Sequence, residues 1–78
     1  VRVGEILARA VAAEVRAEMA RQQVNQQQVA EVLGFSRQAL SRRITGEIPF
    51  DVAELGQIAH FLGVPVSRLM PATNGIAS

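Results

Sequence analysis

Between Gly34 and Gly46 the sequence GFSRQALSRRITG holds Arg37, Arg42 and Arg43, three of the chain's eight basic side chains, and no acid. Arg37 and Gln38 are adjacent, and Ser41 and Arg42 follow one helical turn later. Arginine presents a rigid fork of donors, and the glutamine amide places a donor beside an acceptor. These are the two side chains that pair bidentately with the edges of guanine and adenine in a duplex groove. The chemistry on offer is recognition of an anionic, hydrogen-bonding surface, with no covalent step. A basic run more often only solvates a helix, so the elements that hold these residues must decide between the two.

Three helix starts repeat one device. Asn25 precedes QQQVAEVL with Gln28 placed to close a capping box and Val24 to staple onto Val29. Ser36 precedes RQALSRRI, with Phe35 placed to staple onto Leu40, and Asp51 precedes VAELGQIAHFL, with Glu54 as its box partner and Phe50 against Leu55. Gly34, Gly46 and Gly63 follow the last apolar residue of each segment, where a left-handed cap suits glycine. Upstream, Ile6, Leu7, Ala10, Val11, Val15 and Met19 follow helical periodicity over residues 5–22, with Gly4 as the start. Pro65 opens a last short helix, VSRLM, that Pro71 ends. The expectation is an all-α domain of five helices over residues 1–72, with a disordered tail at 73–78.

Only Gly34, Phe35 and Ser36 separate the second helix from the third, a connection that fits a helix-turn-helix. At about 100° per residue, Arg37, Ser41, Thr45, Gln38 and Arg42 fill one polar arc of about 140°. Ala39, Arg43, Leu40 and Ile44 occupy the rest, with Leu40 and Ile44 as core anchors. A short capped helix that shows Arg and Gln from its first turn has the form of a major-groove reader.

Composition narrows the classes. A chain of 78 residues with no cysteine builds one small core without disulfides or thiolate metal sites. No apolar run reaches the roughly 18 residues of a membrane span, so a cytoplasmic protein is expected. The net charge is only +1, yet residues 21–46 hold Arg21, Arg37, Arg42 and Arg43 against Glu31 alone. His60 is the sole histidine and suggests no metal site; Ser36, Ser41 and Ser67 have no His–Asp partners, and Asp51 with Glu54 reads as a capping pair. No phosphate-cradling glycine motif occurs. Neither an enzyme, a cofactor, a metal nor a small-molecule substrate is expected.

The run from Val24 to Met70 resembles the lambda-repressor-like family of helix-turn-helix proteins, also called the XRE or Cro/C1 type. The resemblance covers about residues 11–70 and is carried by Gln26, Ala30, Leu33-Gly34, Ser36, Leu40-Ser41, Gly46, Leu55, Ile58-Ala59, Leu62-Gly63-Val64 and Leu69. It implies a transcription regulator, most simply a short phage or prophage repressor, acting as a homodimer on a double-stranded DNA operator in the nucleoid or host cytoplasm. It also implies that Arg37, Gln38, Ser41 and Arg42 read bases. Gln26, Ser36, Arg43, Thr45 and Gly46 would meet phosphates, with packing as the other role for Arg43. An antitoxin or anti-repressor partner of the same fold is the alternative, with a protein-binding module that has lost DNA behind it.

Three features depart from the family pattern. Gln23 stands where the first turn usually has glycine, which leaves that turn open to being an extension of helix one. The loop GEIPF after the third helix offers only Glu47 and no cation for a phosphate. The first helix also begins early, and its Ile6 and Leu7 have no family role. The dimer surface is expected at Val64–Met70, with the early turns of helix one as its rival.

Overall fold

The computed structural model describes residues 2–71, so the expectation for the tail at 73–78 lies outside the described residues. Among the described residues four α-helices follow one another: α1 at Val3–Gln22, α2 at Gln26–Leu33, α3 at Arg37–Ile44 and α4 at Val52–Leu62. The fifth expected helix is instead one 3₁₀ turn, Val66–Leu69. Pro65 and Pro71 leave too little chain between them for an α-helical ladder. The turn closes with the Arg68 amide on the Pro65 carbonyl at 2.9 Å and the Met70 amide on that of Ser67 at 3.2 Å. No described helix is long and apolar enough to cross a membrane.

The local signals set the helix boundaries. Asn25 accepts from the Gln28 amide while the Gln28 side chain accepts from the Asn25 amide, each at 2.9 Å. Asp51 and Glu54 form the same reciprocal box at 2.7 and 3.0 Å. Ser36 accepts from the Ala39 amide at 3.1 Å. Each such cap stabilises its helix by about 1 kcal/mol, a large fraction of what a domain this small can spare. Gly34, Gly46 and Gly63 all have positive φ.

α1 ends at Gln22, as the 5–22 expectation has it, but its start differs. The helix begins at Val3, with Arg2 at the cap position and no side-chain cap bond, so Gly4 lies inside its first turn. At the other end Gln23 takes the left-handed conformation, φ 57° and ψ 39°, and terminates the helix. The turn therefore keeps the geometry that glycine normally provides, with glutamine bearing the steric cost.

One core unites the elements. Val11, Val15 and Met19 of α1 pack with Val29 and Ala30 of α2, Leu40 and Ile44 of α3, and Phe50. Leu55, Ile58, Ala59 and Leu62 of α4 and Leu69 of the 3₁₀ turn complete it. Val24 and Phe35, the expected staple residues, pack partly buried against this cluster. Leu40 and Leu69 are both fully enclosed, so α3 and the 3₁₀ turn are each pinned by one leucine. Among the described residues Glu18 is the single buried charged one, 3% exposed, and it accepts from Arg21 at 2.9 Å and Gln22 at 3.0 Å.

Candidate nucleic-acid interface

The third helix divides as its sequence requires. Leu40 and Ile44 are buried and Ala39 and Arg43 half-buried, while Arg37, Gln38, Ser41, Arg42 and Thr45 are all exposed. The polar arc is therefore free of the core along its whole length. Gln26, the first residue of α2, joins Arg37, Gln38 and Ser41 around one shallow open groove. This juxtaposition brings together residues from both helices of the pair, Gln26 from the first turn of α2 and the others from α3. Arg42 is exposed but stands outside that groove, at the far edge of the polar arc.

Charge follows the same division. Arg2 pairs with Glu5, Arg21 and Arg68 with Glu18, and Arg43 with Glu54. Arg37 and Arg42 have no acid partner among the described residues. The exposed face of α3 thus keeps two uncompensated guanidiniums, each with its full set of donors open to a ligand.

The residues expected to meet phosphates are placed less uniformly. Gln26 is exposed and Ser36 is exposed at its cap, where its oxygen receives the Ala39 amide and its hydroxyl proton stays available. Thr45 has spent its donors: its hydroxyl donates to the Arg42 carbonyl and its amide to that of Ser41, both at 3.1 Å. Gly46 is buried, and its amide donates to the Arg43 carbonyl at 3.1 Å. Both residues close the end of α3, and the donors that a phosphate would need from them are bonded within the chain. A methyl group built on Gly46 would stand 2.9 Å from the Arg9 Cα, which makes this glycine a close-packing residue under α1.

Arg43 is bonded within the protein. Its guanidinium lies 4.3 Å from the Phe35 ring centroid, 3.3 Å from the Glu54 carboxylate and 3.1 Å from the Ala39 carbonyl. A group engaged on three sides and only 20% exposed is packed, not offered to solvent. It fastens α3 to the preceding turn and to the first turn of α4.

Two other supports reach from α1 to distant parts of the chain. Arg16 of α1 donates to the Ile44 carbonyl, a cation at the negative end of the α3 dipole. Glu18 is held below the usual carboxylate range, first by the Gln22 hydrogen bond and then by Arg21, with Arg68 adding a weaker attraction and burial opposing all three. Gln22 also donates to the Leu62 carbonyl at 2.9 Å, so this network ties the end of α1 to α4 and to the 3₁₀ turn. The spacing of Arg9 and Arg16, seven residues apart, marks a shared α1 face in the sequence, but nothing local names what that face meets.

The surface expected to hold a dimer is split. Val66 and Met70 are 41% and 46% exposed, but Leu69 between them is fully buried. Val3 and Ile6, in the early turns of α1, are 49% and 40% exposed.

Residues 15–69 match the family model described as helix-turn-helix. The chain is similar to a solved structure described as the clp gene regulator ClgR from C. glutamicum, with 27% identity and a TM-score of 0.75. That likeness covers 81% of this chain and 82% of the regulator's. Comparison with curated proteins gives no match. With the matched span running from the middle of α1 to the 3₁₀ turn, and the capped α2–α3 pair inside it, the chain belongs to the XRE-type helix-turn-helix family of DNA-binding transcription regulators.

Proposed function

We propose that the protein is a sequence-specific double-stranded DNA-binding repressor that acts by occupying an operator and sterically excluding polymerase. The observation that carries this reading is the groove shared by Gln26, Arg37, Gln38 and Ser41. One residue of α2 suited to a phosphate there adjoins a reader pair that matches guanine and adenine edges. The likeness to a chain described as a gene regulator supports the same reading. Arg37, Gln38, Ser41 and Arg42 read bases, while Gln26 and Ser36 fix the register on the backbone. Arg43 and Gly46 support the reader from within.

One helix of eight residues reaches few base pairs. The operator is therefore two half-sites about one DNA turn apart, bound by a homodimer. Selection of binding sites from random duplex DNA tests the whole proposal. Enrichment of a palindromic site supports the reading and the dimer together, and a reporter with that site across its promoter should fall silent when the protein is made. Absence of any enriched site overturns the reading in favour of a protein-binding partner of the same fold.

A further inference from the structure

The loop from Thr45 to Asp51 carries Glu47 and no basic side chain, and Arg43 just before it is neutralised by Glu54. A DNA backbone passing the end of α3 would meet little positive charge from this segment itself. The stem of Arg9 on α1 lies directly against Gly46, since a methyl group there would be 2.9 Å from both its Cα and its Cγ. Arg9 is exposed, and it makes no ion pair or side-chain hydrogen bond among the described residues. Arg2, Arg21, Arg43 and Arg68 all have carboxylate partners. Two turns along the same α1 face, Arg16 reaches the Ile44 carbonyl, so this face runs beside the end of the reading helix. The family match begins at residue 15, so Arg9 lies outside it.

We propose that Arg9 is a DNA-phosphate contact, supplying from the early part of α1 the cation that the loop after α3 lacks. The proposal rests on the duplex-DNA reading above. A guanidinium forks onto two phosphate oxygens, and an unpaired one gives up no internal partner to do so. Gly46 is what lets α1 come close enough. The early turns of α1 thereby gain a role beyond the matched region: they carry a charged side chain to the edge of the reading surface.

The test measures affinity against salt for the selected duplex and for a random duplex, with the unaltered chain, Arg9→Ala and Arg9→Lys. Each phosphate contact contributes about 0.9 to the logarithmic salt slope. Arg9→Ala should weaken both duplexes alike and reduce the slope by about that amount, so that an approximately fourfold rise in salt costs it about 3.5-fold less affinity than the unaltered chain. Arg9→Lys should restore the slope, because it keeps the charge. An unchanged slope overturns the proposal, with or without a lowered melting temperature, and a loss confined to the selected site overturns it in favour of base reading. Failure of the unaltered chain to bind any duplex overturns the functional reading itself and this contact with it.

Discussion

One carboxylate oxygen of Glu54 receives both the Arg43 guanidinium at 3.3 Å and the Asp51 amide at 3.0 Å. The same atom closes the capping box of α4 and anchors the reading helix to it. Position of α3 and integrity of the α4 start are therefore coupled through a single group.

Arg43→Ala should destabilise the fold by about 1–3 kcal/mol, because it strips a charged partner from half-buried Glu54 and uncovers Phe35. Urea unfolding measures that loss. The salt slope of duplex binding should stay unchanged, since a guanidinium already paired inside the protein releases no counterion from DNA. A slope smaller by about one would return Arg43 to the phosphate role.

Arg37 and Gln38 should behave in the opposite way. Both are exposed without side-chain partners among the described residues, so alanine at either position should leave the unfolding midpoint nearly in place. Each substitution should cost about 1–3 kcal/mol on the selected duplex and relax base preference at one or two positions. Repeating the site selection with each variant reads this directly, and an unaltered preference would remove that residue as a reader.

What the sequence revealed was whatever is decided within one turn of helix. The caps at Asn25, Ser36 and Asp51 bind amides three residues on, so residue type and spacing state them fully. The exposure of Arg37, Gln38, Ser41, Arg42 and Thr45 follows from helical geometry once Leu40 and Ile44 are taken as anchors. The roles of Arg43, Thr45 and Gly46 were not legible in that way. Arg43 and Gly46 meet Glu54 and Arg9, which come from elsewhere in the chain, while Thr45 turns its hydroxyl back onto the Arg42 carbonyl of its own helix. The last helix failed for another reason: VSRLM has helical composition, but its flanking prolines leave room for one 3₁₀ turn.

Gly46 and Gly34 share a positive φ, 88° and 71°, but only Gly46 has a neighbour within reach of an added methyl. Gly34→Ala should therefore cost only the left-handed conformation, about 1–2 kcal/mol. Gly46→Ala adds an overlap with the Arg9 backbone and should cost about 2–4 kcal/mol. Equal unfolding midpoints for the two variants would show that α1 does not press on the end of α3.

Gln23 offers the reverse change. It is the one non-glycine with positive φ among the described residues, it is exposed, and it ends α1 in a conformation that penalises its Cβ. Gln23→Gly should raise stability by up to about 1 kcal/mol, the relief of strain being partly offset by the freer unfolded chain. Duplex affinity should not change, as Gln23 lies outside the groove formed by Gln26, Arg37, Gln38 and Ser41. A destabilised variant would show that the left-handed turn is not where the strain lies.

Glu18 makes stability depend on acid in a definite direction. Its carboxyl is held below the usual range by Gln22 and Arg21, with Arg68 from the 3₁₀ turn adding to them, so the folded state favours the charged form. A depressed folded pKa adds stability that is complete above the unfolded value, near pH 4.3 for glutamate, and is lost as pH falls through the lower folded value. Glu18→Gln removes this titration while keeping one acceptor oxygen for its neighbours. The variant should melt below the unaltered chain at neutral pH, and the gap should narrow as the solution is acidified past about pH 4. Thermal melting across that range checks the sign: a gap that widens in acid would mean that the folded chain prefers the protonated carboxyl, with burial outweighing the three partners.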